Sequence, residues 1–242
     1  MRESLRVLLR HLIDYAGLFP PAALTMQDAV RNYARYREGE DAWGLGKFIV
    51  PQARASEVPP EFPLSVLGVD EVKATSEDEL ASLAPGTYVE IADLSLLDAI
   101  KSRGLRAKIR TGGITADAFP AIGDVAAFLR ACKTRGIAFK ATAGLHHPLR
   151  CVKALRDEPN APTGMMHGFL NVFLAAALLD HAEDLLAETD PWSFTFADEG
   201  ATWRGHTVST AELTTLRRDF ATSFGSCSFE EPIGDLRELG WL

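Results

Sequence analysis

From Lys47 onward the chain shows eight short β-rich runs, most of them followed by a helical stretch, recurring on average about every 24 residues. A parallel strand and its crossover helix need about that length. The runs are KFIVP at 47–51, LSVLGV at 64–69, TYVEIAD at 87–93, RAKIRT at 106–111, IAFKAT at 137–142, GFLNV at 168–172, SFTFA at 193–197 and TSFGSC at 222–227. Helix signals lie between them. Ser76 with Glu79, and Ser209 with Glu212, have capping-box spacing. Asp124 can cap a helix that ends before Gly136. Residues 95–103 read as helical up to Gly104, 148–157 can be helical, and 173–188 form the longest predicted helix. Residues 52–63, with Pro59, Pro60 and Pro63, read as an irregular crossover.

The segment before the repeat has another texture. Leu5, Leu8, Leu9, Leu12 and Ile13 recur at helical spacing, and Thr25 with Asp28 starts a second helix to about Arg37. Between them DYAGLFPPA breaks the pattern. It reads as a plug over the barrel's N-terminal end, an oligomer contact or a wall of the active site. No Ser-, Gly- or Pro-rich linker divides the chain. The predicted fold is a single-domain (β/α)8 TIM-type barrel over 47–242, with an N-terminal helical extension over 1–46 packed on it. A doubly wound open sheet is the alternative. It is disfavoured because no G-x-G-x-x-G follows the first strand.

Composition narrows the partners. A length of 242 residues suits one such barrel or two small domains. The 25 Lys and Arg against 33 Asp and Glu give a net charge of −8, so there is no electrostatic footprint for nucleic acid. Cys132, Cys151 and Cys227 have no C-x-x-C spacing, and neither a disulfide framework nor a zinc knuckle is indicated. Reduced thiols fit the cytoplasm. The most apolar run, about 12 residues from Gly168, falls short of the roughly 20 of a membrane span. The N-terminus is too broken for a signal peptide. A soluble cytoplasmic protein with no membrane partner is expected, and a homo-oligomer is compatible with the sequence.

Strand alternation picks out the chemistry. In a barrel the polar partner of each apolar, helix-facing residue points inward, and functional groups gather at the C-terminal strand ends. On that rule Glu90, Lys108, Arg110, Lys140, Thr142 and Asn171 point inward from four consecutive strands. Buried charges are costly unless paired or functional. Two lysines on adjacent strands depress each other's pKa, and a neutral lysine amine can form a Schiff base with a carbonyl. The competing reading is a buried ionic lattice in which Glu90 pairs a lysine.

KIRTGG at 108–113 and KATAGL at 140–145 resemble the two lysine strands of deoxyribose-phosphate aldolase, a class I aldolase family with a TIM-barrel fold. That family carries K-x-S-T-G-x and, about one βα unit later, K-A-S-G-G-I. Arg110 stands where the family has serine. The resemblance implies that Lys108 forms the Schiff base and Lys140 tunes it, with Glu90 or Asp93 in the place of the family's catalytic aspartate.

Other candidates surround these strands. His146 and His147 follow KATAG, His167 precedes the next run, and Asp198 and Glu199 end the seventh. Such groups act as acid and base or bind a divalent metal; a backbone-tethered loop histidine is the alternative. Ser226 and Ser228 before a helix favour an anion, or else Ser228 and Glu231 form a capping box. Cys227 reads as a small buried apolar group. Gly112 and Gly113 with Arg110 can hold an acidic group.

Three functional readings follow. The first is an aldolase-type lyase on a small acidic or phosphorylated carbonyl metabolite. It uses Lys108, Lys140 and Glu90 or His146, with no cofactor favoured. Arg110, Gly112, Gly113, Thr142, Asn171, Ser226 and Ser228 bind its substrate. The second is a metal-dependent hydrolase or isomerase using His146, His167 and Glu199. The third is a non-catalytic barrel that binds a metabolite or protein, with its inward charges fully paired and no open pocket.

Overall fold

The computed structural model describes residues 1–155 and 158–242. The chain opens with α1 (Glu3–Leu9), β1 (Ile13–Tyr15), α2 (Met26–Glu38), β2 (Leu45–Pro51), β3 (Leu64–Leu67) and β4 (Glu71–Lys73). Next come β5 (Tyr88–Glu90), α3 (Leu97–Ser102), β6 (Arg106–Arg110), α4 (Ile122–Arg135) and β7 (Phe139–Thr142). A long excursion holds β8 (Cys151–Ala154), β9 (Thr163–Met166), α5 (Phe169–Ala175), α6 (Ala182–Ala187), β10 (Phe194–Phe196), β11 (Gly200–Trp203), β12 (His206–Ser209) and α7 (Thr210–Asp219). The chain returns through β13 (Ala221–Ser226) and ends with α8 (Glu230–Glu238).

Eight parallel strands close into a barrel in the order β1, β2, β3, β4, β5, β6, β7, β13, and β13 pairs back to β1. With helices between strands, this is a TIM-type α/β barrel. The number of strands agrees with the sequence pattern, but their membership differs. Six of the eight runs enter the barrel; 168–172 and 193–197 do not.

The run at 168–172 starts helix α5, every residue of which is buried. A short, uniformly apolar run does not distinguish a buried helix from a buried strand. The predicted long helix at 173–188 is accordingly divided into α5 and α6. The run at 193–197 becomes β10, which pairs antiparallel with β11, and β11 with β12, in a separate small sheet. The turn at Arg204 and Gly205, both at positive φ, reverses the chain there. Cys151–Ala154, within the expected helix at 148–157, pairs with β9 as an antiparallel hairpin, while residues 156 and 157 lie outside the described residues.

The two remaining barrel strands come from unexpected places. Ile13–Tyr15 is β1, so residues 1–46 are not a purely helical extension: they supply the strand that closes the barrel. Ile13 and Tyr15 face the outer helices, and Asp14 between them faces inward. The second is Glu71–Lys73. A parallel neighbour ordinarily requires a crossover of a dozen residues or more. Here residues 68–70 suffice, because β4 begins beside the end of β3, with Leu67 opposite Glu71. Gly68, at φ +97°, makes the step, and its N–H donates to Glu71 O (2.8 Å). The chain moves sideways by one strand position instead of returning over a helix.

Local signals explain the helices that position these strands. Thr25 Oγ1 accepts from Asp28 N at the start of α2, and Ser209 and Glu212 form a complete capping box on α7. Gly136 ends α4 in the left-handed conformation. Ala121, not Asp124, is the N-cap of α4, and at 76–79 only a short 3-10 turn forms over Asp78–Leu80. The apolar core lies between barrel and helices, as where Tyr33 of α2 packs edge-on against Phe48 of β2. No helix among the described residues is long and apolar enough to cross a membrane.

Candidate active site

A TIM-type barrel ordinarily fills its interior with branched apolar side chains. This one fills it with charge. Asp14, Lys140, Glu71, Lys108, Glu90 and Arg110 form a row in which cations and anions alternate. Lys140 Nζ donates to Asp14 Oδ2 (2.7 Å) and Glu71 Oε1 (2.5 Å). Lys108 Nζ lies 2.9 Å from Glu71 Oε2 and 3.2 Å from Glu90 Oε2. Arg110 Nε donates to Glu90 Oε1 (2.9 Å). The register places Lys108 directly beside Lys140, and Glu90 beside Lys108.

Three positive and three negative groups cancel, the half-exposed Arg110 at the end of the row balancing the charges buried behind it. Hydroxyls complete the set: Ser65 donates to Glu71 Oε1 (2.6 Å) and Ser223 to Asp14 Oδ2 (2.7 Å). Burial works to raise the pKa of Glu71, but Lys140 and Lys108 overcome it and hold the carboxyl at about 2. Glu90 is lowered in the same way, with Lys108 and Arg110 outweighing burial. Burial opposes the charge on Lys140, yet Asp14 and Glu71 push its pKa above the ordinary lysine value. Lys140 is therefore a fixed ammonium.

Glu71 Oε2 is buried, and its contact in the row is the ion pair to Lys108, with no further hydrogen bond reaching it among the described residues.

Above the row, at the C-terminal ends of the strands, opens a cavity of about 680 Å³, a size suited to a metabolite. Lys108 and Glu71 lie at its floor, Arg110 and Thr142 on its wall, and Gly112 and Gly113 along its edge. Among the described residues, the terminal nitrogens of Arg110 have no hydrogen-bond partner. Phe19, Pro20 and Pro21 form the opposite wall. The DYAGLFPPA segment is thus a cavity wall, because it follows β1; it does not plug the N-terminal end. Lys140 is 1% exposed and does not reach this cavity.

The loops after β6 and β7 cross closely. A Cβ on Gly112 would lie 2.8 Å from Gly144 Cα and 2.5 Å from Phe119 Cε1. Gly112→Ala is expected to cost about 2 kcal/mol by overpacking. Gly123→Ala, whose Cβ meets nothing within 4 Å, is expected to cost less than about 1 kcal/mol. Urea unfolding of the two variants checks this, and equal midpoints would contradict the tight crossing.

His146 and His147 both line the cavity, each tethered to α8. His146 Nδ1 is 3.1 Å from Glu231 Oε2 and 4.0 Å from Cys227 Sγ. Burial disfavours its charge, but Cys227 and Glu231 outweigh burial and raise its pKa to about 10. The raised pKa favours the imidazolium, a proton donor. His147 Nδ1 is 2.6 Å from Asp235 Oδ2. Ser228 Oγ accepts from Glu231 N (3.1 Å), but the Glu231 carboxylate turns to His146, so only half of the expected capping box forms. Ser228 lines the cavity. Ser226 is buried, its Oγ accepting from Ser228 N (3.3 Å). Cys227 also lines the cavity and is half-buried, where a buried apolar group was expected.

Asn171 does not belong to the site. It lies on α5, where its amide donates to Leu185 O and Glu188 O and its carbonyl accepts from Arg150 N. It ties three segments of the excursion together. The set His146, His167 and Glu199 is not brought together either. His167 Nε2 donates to Pro120 O (2.8 Å) and Nδ1 accepts from Arg150 (3.2 Å). Burial lowers its pKa, and it stays neutral. Glu199 is exposed between β10 and β11 of the small sheet. Among the described residues no three His, Cys, Asp or Glu side chains converge as a metal site.

Asp14, Glu71 and Ser65 escaped the sequence reading, whereas the wall at Phe19 was among the roles expected of DYAGLFPPA. Asp14 between Ile13 and Tyr15, and Glu71 two residues before Lys73, do show period-two alternation. Each run is only three residues long and adjoins a stronger helix or turn signal. No protein-family model, curated protein or solved structure matches this chain.

Proposed function

We propose that the chain is a lyase of class I aldolase type, acting on a small acidic or phosphorylated carbonyl compound through an imine on Lys108. The observation that carries this reading is the position of Lys108 Nζ. It is the lysine amine of the charged row that opens on the cavity, 2.9 Å from Glu71 Oε2.

Each neighbour then has a task. Lys108 must shed two protons in all, both of which end on the carbonyl oxygen, and its free amine attacks the carbonyl carbon. The oxygen leaves as water, with the His146 imidazolium as the available donor, restored by a proton from the carbinolamine nitrogen, while Glu71 stays ionised. The iminium product carries the positive charge the ammonium had, so Glu71 and Glu90 stabilise it equally well. Lys140 and Lys108 share Glu71, one on each of its oxygens. Arg110, with its free terminal nitrogens, suits a carboxylate or phosphate on the substrate.

Borohydride reduction in the presence of a panel of aldehydes, 2-keto acids and keto phosphates tests the reading. One reduced adduct per chain is expected on the peptide carrying Lys108, and none in Lys108→Arg. No adduct with any compound, or equal labelling of the variant, overturns it. The complete pairing of Lys108 favours a second reading, a barrel that binds an acidic metabolite without reacting. Saturable binding of a panel compound without an adduct would support that reading instead.

A further inference from the structure

We propose that the opposite, N-terminal mouth of the barrel is a second binding site, for a small phosphate-type polyanion. A cavity of about 530 Å³ opens there, below the charged row, with Asp14 and Lys140 at its floor. It is separate from the cavity above Lys108, since neither Lys108 nor Arg110 lines it.

The charge inventory of this mouth is one-sided. Its single carboxylate, Asp14, is already used: Oδ2 accepts from Lys140 and Ser223, and Oδ1 accepts from Lys47 N (2.7 Å). Three cations on the rim, Arg37, Lys47 and Arg106, have no carboxylate partner among the described residues. In a chain of net charge −8, three unneutralised cations around one opening create a local field that concentrates anions.

Two of these cations are held in place. The Arg106 guanidinium lies 5.3 Å over the Tyr88 ring, and its Nη1 donates to the Tyr88 hydroxyl (3.1 Å). That hydroxyl donates to Thr222 Oγ1 (2.8 Å), which donates to Phe139 O (2.8 Å). One edge of Arg106 is thereby fixed to the barrel and the other remains free. Arg37, at the end of α2, lies 5.1 Å over the Phe62 ring. A guanidinium stacked on a ring keeps its planar donors in one orientation, the geometry that suits bidentate contact with phosphate oxygens. Two oriented forks with the Lys47 ammonium on the same rim fit a polyanion better than a monocarboxylate.

Pyrophosphate titrated by calorimetry into the full chain tests the site. Saturable binding of one pyrophosphate per chain is expected. Arg37→Ala and Arg106→Ala are each expected to weaken it about tenfold, the change that losing one charge-assisted contact brings. The double variant should abolish it. Arg110→Ala, at the other mouth, should leave it unchanged. All three arginines are exposed, and the melting curve of each variant verifies folding; Lys47→Ala supplies a further rim variant with an expected loss of similar sign. Absence of saturable binding up to about 10 mM, or binding that survives the double variant and disappears in Arg110→Ala, overturns the proposal. The Lys108 reading stands or falls on borohydride trapping, independently of either result.

Discussion

Replacing Lys140 by methionine is expected to destabilise the chain by about 3–5 kcal/mol, the cost of removing one partner from a buried ion pair. The side chain is fully buried and serves two carboxylates. Without it Asp14 retains Ser223 and the Lys47 amide, and Glu71 retains Ser65 and Lys108. Asp14 would then be a buried charge with no cation partner among the described residues. Exposure, not distance, sets the size of the effect. Arg31 and Asp28 are paired at 2.9 Å, with 66% and 43% of their side chains exposed. Arg31→Ala is therefore expected to cost less than about 1 kcal/mol. Urea unfolding followed by circular dichroism measures both. For a chain of this size the first loss corresponds to a midpoint lower by roughly 10 °C. A Lys140→Met variant within 1 kcal/mol of the parent would show that the row contributes little.

Acid should dismantle the same row, with a definite sign. Glu71 titrates near 2 in the folded chain, against 4.5 as the ordinary value. A depressed carboxylate contributes stability that is present above the unfolded value and is lost as pH falls toward the folded value. That contribution, about 3 kcal/mol, is complete above about pH 5 and disappears between there and about pH 2. Glu90 adds to it in the same direction. Glu71→Gln removes the titrating group and leaves Lys108 and Lys140 beside one another. It is expected to be less stable than the parent at pH 7, with the difference shrinking as pH falls below about 4.5. Denaturation curves at pH 7, 5, 4 and 3 check this. Parallel pH profiles for the parent and Glu71→Gln would contradict the assignment.

Much of this architecture could be read from residue order, for identifiable reasons. Lys108, Arg110, Lys140 and Glu90 each alternate with an apolar neighbour over several residues, and all four point inward as that period requires. Asn171 failed the same test because GFLNV has no alternation: an all-apolar surrounding fits a buried helix as well as a strand. Asp14 was missed for the opposite reason. The leucine periodicity of α1 runs straight into Leu12 and Ile13, so the chain appears to remain helical while it has become β1. Glu71 lies on a strand reached by a three-residue step, a connection that the repeat length of a strand and helix does not anticipate. The functional face was therefore half legible. Its cations lie on long strands, and the carboxylates that neutralise them lie on short ones.

The alternating row also determines what can pass along the barrel axis. Its members are almost wholly buried from Asp14 to Glu90, so no solute traverses it. Each charge is within about 3 Å of its successor, so each feels a change of charge at the next. An anion bound beside Lys108 at one mouth alters the field at Asp14 near the other without any atom crossing between them. The interior of this barrel is closed to matter and open to charge.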